Sequence, residues 1–144
     1  IKVVEGQDGE RIRPGCAYVA PGDHHMTVRK AGDGMVLQLN QNPPENSCRP
    51  AVDVLFRSVV DVVGGRCLGV ILTGMGSDGL RGCQLMHEAG GRVFAQDEAS
   101  SVVWGMPGSV ARAGLAEKLL PLSRVAAEIS SAVGATSTGQ RMVG

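Results

Sequence analysis

The segment Val70-Ile71-Leu72-Thr73-Gly74-Met75-Gly76-Ser77-Asp78-Gly79 holds the residue types with the clearest chemical use. An aliphatic run breaks into a glycine-rich turn, and one carboxylate, Asp78, stands at the mouth of the helix-like stretch that follows. Two kinds of chemistry fit this pattern. Gly74, Gly76 and Gly79 spell G-x-G-x-x-G, and Asp97 follows at the ~20-residue separation of a ribose-binding acid, which together suit a dinucleotide. Against that reading, Asp78 would set a full negative charge beside the pyrophosphate that the turn's amides are there to hold. In the second reading Asp78 is a carboxylate stabilised by a helix N-terminus. It could then orient a histidine as the third member of a Ser-His-Asp system. The plainest reading makes Asp78 a helix cap and nothing more.

Other reactive side chains are weaker. His24 and His25 could act as a base, but they stand at the entry to a hairpin, where polar residues satisfy loop backbone. Cys48 and Ser101 could act as nucleophiles, yet nothing in the sequence sets an activating base beside either. His87 belongs to a helical stretch and is expected to face solvent. Asp97 and Glu98 form a turn pair. No Gly-x-Ser-x-Gly elbow occurs. Cys16, Cys48, Cys67 and Cys83 form no C-x-x-C pair, so zinc and redox roles find no support. Cys67 and Cys83 read as small buried hydrophobes.

The elements that must position these groups follow from periodicity. Ile1–Val4 and Cys16–Ala20 read as short strands separated by a polar loop, Gly6–Arg13. Met26–Lys30 and Met35–Asn40 alternate at period two around Ala31-Gly32-Asp33-Gly34 and predict an antiparallel hairpin. Val52, Leu55, Val59 and Val62 recur at helical spacing behind Pro50, so a helix is expected over Ala51–Val63, closed by Gly64-Gly65. Strand Leu68–Thr73, helix Leu80–Ala89, strand Arg92–Ala95, helix Met106–Ala113 and strand Leu115–Leu120 follow. Ser123 is expected to cap a last helix striped by Leu122, Val125, Ile129 and Val133. This alternation predicts an α/β fold: a doubly wound parallel sheet with helices on both faces and an antiparallel hairpin insert. Residues 134–144 carry no pattern and are expected to form a disordered tail behind one domain over residues 1–133.

Composition narrows the partners. At 144 residues with 14 basic and 14 acidic side chains, the chain has no nucleic-acid footprint and no polybasic membrane patch. Its few aromatics, Tyr18, Phe56, Phe94 and Trp104, are too scattered for a base-stacking platform. No apolar run approaches the ~20 residues of a membrane span. A cytoplasmic protein acting on protein or small-molecule partners is expected.

Four blocks in order add to this: Pro21-Gly22-Asp23-His24-His25-Met26, Arg49-Pro50-Ala51-Val52-Asp53-Val54-Leu55-Phe56, Leu72 to Gly79, and Gln96 to Pro107. Together they resemble the catalytic domain of the bacterial chemotaxis receptor methylesterases, from about residue 5 to residue 133. The resemblance implies a Ser-His-Asp hydrolase that removes methyl esters from chemoreceptor glutamates and deamidates particular glutamines, without metal or cofactor. It implies that Asp78 is the triad aspartate and that Met75 lies near the oxyanion site. Implied partners are methyl-accepting chemoreceptors, a receiver domain fused upstream, and its histidine kinase. The family's Gly-Ala-Ser-Thr-Gly-Gly serine turn and Gln-His-Met histidine block have no counterpart here. The expectation is a chain cut from a longer protein, carrying Asp78 but neither the serine nor the histidine, and inactive by itself. The alternatives are a dinucleotide-binding oxidoreductase fragment, an inactive receptor-binding module, or a hydrolase of some other ester.

Overall fold

The computed structural model describes the backbone of residues 1–143 and the side chains of residues 1–134. Strands β1 (Lys2–Glu5) and β2 (Cys16–Val19) pair in parallel, and β3 (His25–Ala31) and β4 (Gly34–Asn40) form the expected antiparallel hairpin. Then α1 (Val52–Val63), β5 (Leu68–Ile71), α2 (Leu80–Glu88), β6 (Arg92–Gln96), α3 (Met106–Arg112), β7 (Lys118–Leu120) and α4 (Leu122–Val143) alternate. β5, β6 and β7 make a parallel sheet in that order.

Side-chain alternation along β6 explains the layering. Val93 and Ala95 join Ile71, Cys83, Met86 and Val110 in a cluster that also takes Val52, Phe56, Val59 and Leu80, so α1, α2 and α3 share one face. Phe94 points the other way, to Leu120, Val125 and Ile129, and α4 covers that face. A strand buried on both sides reads as an unbroken apolar run, which Val93-Phe94-Ala95 is. Helices on both faces of a parallel sheet are therefore observed, as the α/β order predicts.

In the hairpin, Val28 lies opposite Leu37 and Met26 opposite Leu39, so the two alternating apolar sets fall on one face. Met26 and Leu37 are buried. A Cβ on Gly6 would come within 2.9 Å of the ends of both side chains, so any other residue there would make them shift. The polar loop that follows is not free: the Gly9 and Ile12 amides donate to the Leu37 and Met35 carbonyls, lining the outer edge of β4. Ser58 of α1 fixes the hairpin from within by accepting the Val28 amide at 3.0 Å.

Two expectations about the last helix need correction. Ser123 does not cap it; the Leu122 amide donates instead to the Ser100 hydroxyl at 3.0 Å, a cap supplied by the loop after β6. Leu122 and Val133 are exposed, and the inward stripe is Val125, Ile129 and Ala132. The helix starts one residue past the end of β7, so its first turn sits at the strand's end rather than over the sheet. The side chains of residues 135–144 lie outside those described; the backbone of α4 runs through the expected tail to Val143. Among the described residues, no helix is long and apolar enough to cross a membrane.

All four cysteines are free, and Cys83 is fully buried. Burial, with the Asp53 carboxylate adding to it, pushes the Cys83 thiol up to about 12, and the thiolate is the reactive form. Iodoacetamide at neutral pH is therefore expected to leave Cys83 unmodified in the native protein. Peptide mass mapping that shows labelling as fast as in denaturant would contradict this burial.

Candidate active site

The carboxyl ends of β5 and β6 hold two loops, residues 72–79 and 97–105, and a polar network joins them. Gln96, buried at the end of β6, accepts the Thr73 amide on Oε1 at 2.8 Å and donates from Nε2 to the Ser100 carbonyl at 2.8 Å. The Thr73 hydroxyl donates to the Val103 carbonyl and accepts the Val103 amide, both at 2.9 Å. The Gly74 amide donates to the Val103 carbonyl, and the Met106 amide donates to the Gly74 carbonyl. A Cβ on Gly105 would lie 2.9 Å from the Gly74 carbonyl oxygen, so this approach of two backbones admits only glycine. The glycine turn is thus tied to the 103–106 segment.

Asp78 sits in this turn and is only 6% exposed. Its carboxylate does not serve α2, the helix that it precedes. Oδ2 accepts the Val52 amide at 2.7 Å, and Oδ1 accepts the Asp53 amide at 3.1 Å, so Asp78 closes the N-terminus of α1. This corrects the expectation that its own helix mouth stabilises it. Gly79, at φ 97°, occupies the cap position of α2 and reverses the chain there, sending the preceding side chain toward the neighbouring helix. Ala51, the cap residue of α1, has no side chain able to do that work, and Asp78 supplies it from outside.

The arrangement is reciprocal. Asp53, in the first turn of α1 and buried, accepts the Gly82 amide of α2 on Oδ1 at 2.8 Å. Asn46 lies between the acids: its side-chain nitrogen donates to Asp53 Oδ2 at 2.8 Å and to Asp78 Oδ1 at 2.9 Å. Every one of these contacts is an N–H directed at a carboxylate oxygen, the set that a charged carboxylate takes. Two carboxylate oxygens offer about four lone-pair positions. Asp78 has one donor on Oδ2 and two on Oδ1, which leaves one acceptor position on Oδ2. Neither Asn46 nor Asp53 belongs to a sequence pattern that marks such a role. The one local signal was an acid in the first turn of a helix whose cap residue is alanine.

The dinucleotide reading fails on the same geometry. The Gly82 amide at the mouth of α2, which a phosphate would need, is taken by an internal carboxylate. Asp97, the proposed ribose acid, accepts the Ser100 amide at 3.0 Å and the Ser100 hydroxyl at 2.6 Å within its own turn.

The remaining groups stay apart from Asp78. Met75 is 82% exposed at the tip of the turn, on a rim where Leu72, Val102 and Val103 are also exposed. His25 is buried with both ring nitrogens engaged: Nε2 lies 3.0 Å from the Pro43 carbonyl, and the Ala51 amide donates to Nδ1 at 3.3 Å. That pairing sets the proton on Nε2 and leaves no site for base work. His24 turns to the Gly22 carbonyl, and His87 is exposed. The Ser101 hydroxyl donates to the Asp97 carbonyl, while Cys48 closes a backbone turn with Glu45. Among the described residues no histidine hydrogen-bonds to Asp78, and no group of three or more His, Cys, Asp or Glu is set to hold a metal ion.

Fold and site together define an α/β domain with an anchored, nearly saturated carboxylate at the carboxyl edge of its parallel sheet. The chain belongs to the CheB methylesterase family, whose model matches residues 1–129. It is 57% identical over 119 residues to a protein-glutamate methylesterase/protein-glutamine glutaminase of Maricaulis maris, covering 83% of this chain and 30% of that protein. It is 54% identical over 134 residues to one of Trichodesmium erythraeum, covering 93% of this chain and 38% of the relative. The chain thus spans about a third of the length of these curated relatives. The crystal structure of the Thermotoga maritima CheB methylesterase catalytic domain superposes with a TM-score of 0.82 at 37% identity, over 84% of this chain and 64% of that one.

Proposed function

We propose that this chain is part of a protein-glutamate methylesterase and protein-glutamine glutaminase in which Asp78 is the aspartate of a Ser-His-Asp triad. The observation that carries the reading is the Asp78 carboxylate. Three N–H donors fix it, and one acceptor position on Oδ2 is left open. An imidazole N–H fits that position. In the mechanism, a serine hydroxyl attacks the carbonyl of a glutamyl methyl ester while the histidine takes its proton. Asp78 holds that histidine in the tautomer with Nδ1–H and stabilises the imidazolium that forms. Methanol leaves, and water then releases the glutamate; with a glutamine substrate, ammonia leaves instead. Backbone amides near Met75 support the tetrahedral oxyanion. The serine and histidine are assigned to a segment of the family's domain outside residues 1–144.

In the same reading the substrates are methyl-accepting chemoreceptors, the setting is the cytoplasm, and a receiver domain with its histidine kinase governs activity. The apolar rim of Leu72, Met75, Val102 and Val103 suits a protein surface better than a free small molecule. A non-catalytic receptor-binding role would leave the open Oδ2 position without a use.

The test is methanol release from a methylated chemoreceptor by the full-length protein, which is expected to proceed without added cofactor. A polypeptide of residues 1–144 is expected to release no methanol above the buffer rate, because its described residues bring neither serine nor histidine to Asp78. Turnover by that polypeptide, lost on Asp78→Ala, would overturn the assignment of the missing partners.

A further inference from the structure

Asn46 has a chemistry that the fold alone does not demand. It and Ser47 are the central residues of a tight turn closed by two backbone hydrogen bonds between Glu45 and Cys48, and both have positive φ, 54° and 61°. That conformation favours glycine, with asparagine next. The turn itself is held from outside: Arg57 of α1 donates two hydrogen bonds to the Glu45 carboxylate, at 3.2 Å and 3.0 Å. Neither the backbone nor this ion pair needs a side-chain amide at residue 46. The side chain nevertheless reaches in and puts both of its N–H bonds on buried acids, Asp53 and Asp78.

We infer that Asn46 is a positioning residue for Asp78: it keeps the two carboxylates apart and holds Oδ1 so that the open acceptor position of Oδ2 faces the histidine. This rests on the reading of Asp78 as the triad aspartate. Without the amide, Oδ1 would keep only the longer bond from the Asp53 amide. The Asp78 carboxylate could then rotate about χ2, and no donor would separate it from the Asp53 carboxylate. Like charges left without a shared donor repel, and rotation is the way to relieve that repulsion. The imidazole would lose the direction of its hydrogen bond, whereas substrate, which touches neither acid, would bind as before. Asn46 therefore acts on kcat and spares KM.

The experiment uses the full-length protein, methylated receptor as substrate, and the variants Asn46→Gly, Asp78→Asn and the two combined. Glycine suits the left-handed backbone and removes only the amide. Asn46→Gly is expected to lower kcat by roughly 10- to 100-fold with KM within about threefold. In the Asp78→Asn background the same change is expected to cost less than about twofold, because its route of action is already gone. Asn46→Ala also removes the amide and adds no charge, and is expected to lose a similar share of kcat; it serves if the glycine variant does not fold. A kcat of wild-type size in a folded Asn46 variant overturns the inference, as does an equal loss in both backgrounds. Should Asp78→Asn itself stay within tenfold of wild type, the triad reading falls and the inference with it. An inactive Asp78→Asn beside an unimpaired Asn46→Gly sinks the inference alone.

Discussion

Asp78→Asn is expected to lower kcat for methyl-ester hydrolysis by the full-length protein roughly 10,000-fold. The change keeps the shape of the side chain and removes its charge, so packing is preserved while two electrostatic roles are lost. Asparagine cannot accept with both terminal atoms. Its NH2 group would take either the place of Oδ2, facing the Val52 amide and the histidine N–H together, or the place of Oδ1, facing the Asn46 and Asp53 N–H donors; the first choice selects the wrong imidazole tautomer. A drop in stability accompanies this, because amide donors that now meet a carboxylate would meet a neutral or opposing group. Initial rates at saturating receptor, read below the melting transition, separate the two effects. Activity within tenfold of wild type would remove Asp78 from the chemistry and leave it a helix cap.

Asp53→Ala carries the largest expected loss of stability. The buried acid supplies, among the described residues, the one side-chain acceptor at the mouth of α2 and takes one of the two N–H bonds of Asn46. Its removal leaves the Gly82 amide buried without a partner, takes from Asn46 one of its two acceptors, and removes negative charge from a helix N-terminus. Together these amount to about 3 kcal/mol, which for a domain of this size lowers Tm by roughly 10 °C. Relief of repulsion between Asp53 and Asp78 acts in the opposite direction, but bound N–H groups already screen both acids. Thermal unfolding followed by circular dichroism measures the shift; an unchanged Tm would show that water satisfies the freed amides. The loss should be felt at both helices, since α1 and α2 pack through Gly82, where a Cβ would come within 2.5 Å of the Phe56 Cβ.

What the sequence made legible was local. Alternation placed the hairpin, 3.6-residue spacing placed α1, and the glycine pairs Gly64-Gly65 and Gly90-Gly91 marked the return to the sheet after α1 and α2. The order from residue 50 onward led to a parallel sheet because each element could be recognised from its own residues. The α4 cap was not legible, since its acceptor, Ser100, lies 22 residues upstream in another loop. Nor was the target of Asp78. Position in the chain set it beside α2, while Gly79's left-handed turn aims the carboxylate at α1. The Asn46–Asp53–Asp78 cluster draws on a turn, a helix and a loop, and no spacing rule joins residues so far apart. The burial of Asp53 was not legible, because burial is a property of the assembled layers.

The cross-capping of α1 and α2 also limits how this chain can change. Each helix begins on an acid borrowed from the other's neighbourhood, so lengthening the connector before α1 or the turn before α2 by a single residue would strand a negative charge in the interior. Drift should then be confined to stretches that owe nothing to this exchange, such as the polar span ahead of β2. A domain built this way can change what it greets at its rim while the pair of interlocked helix starts stays frozen beneath it.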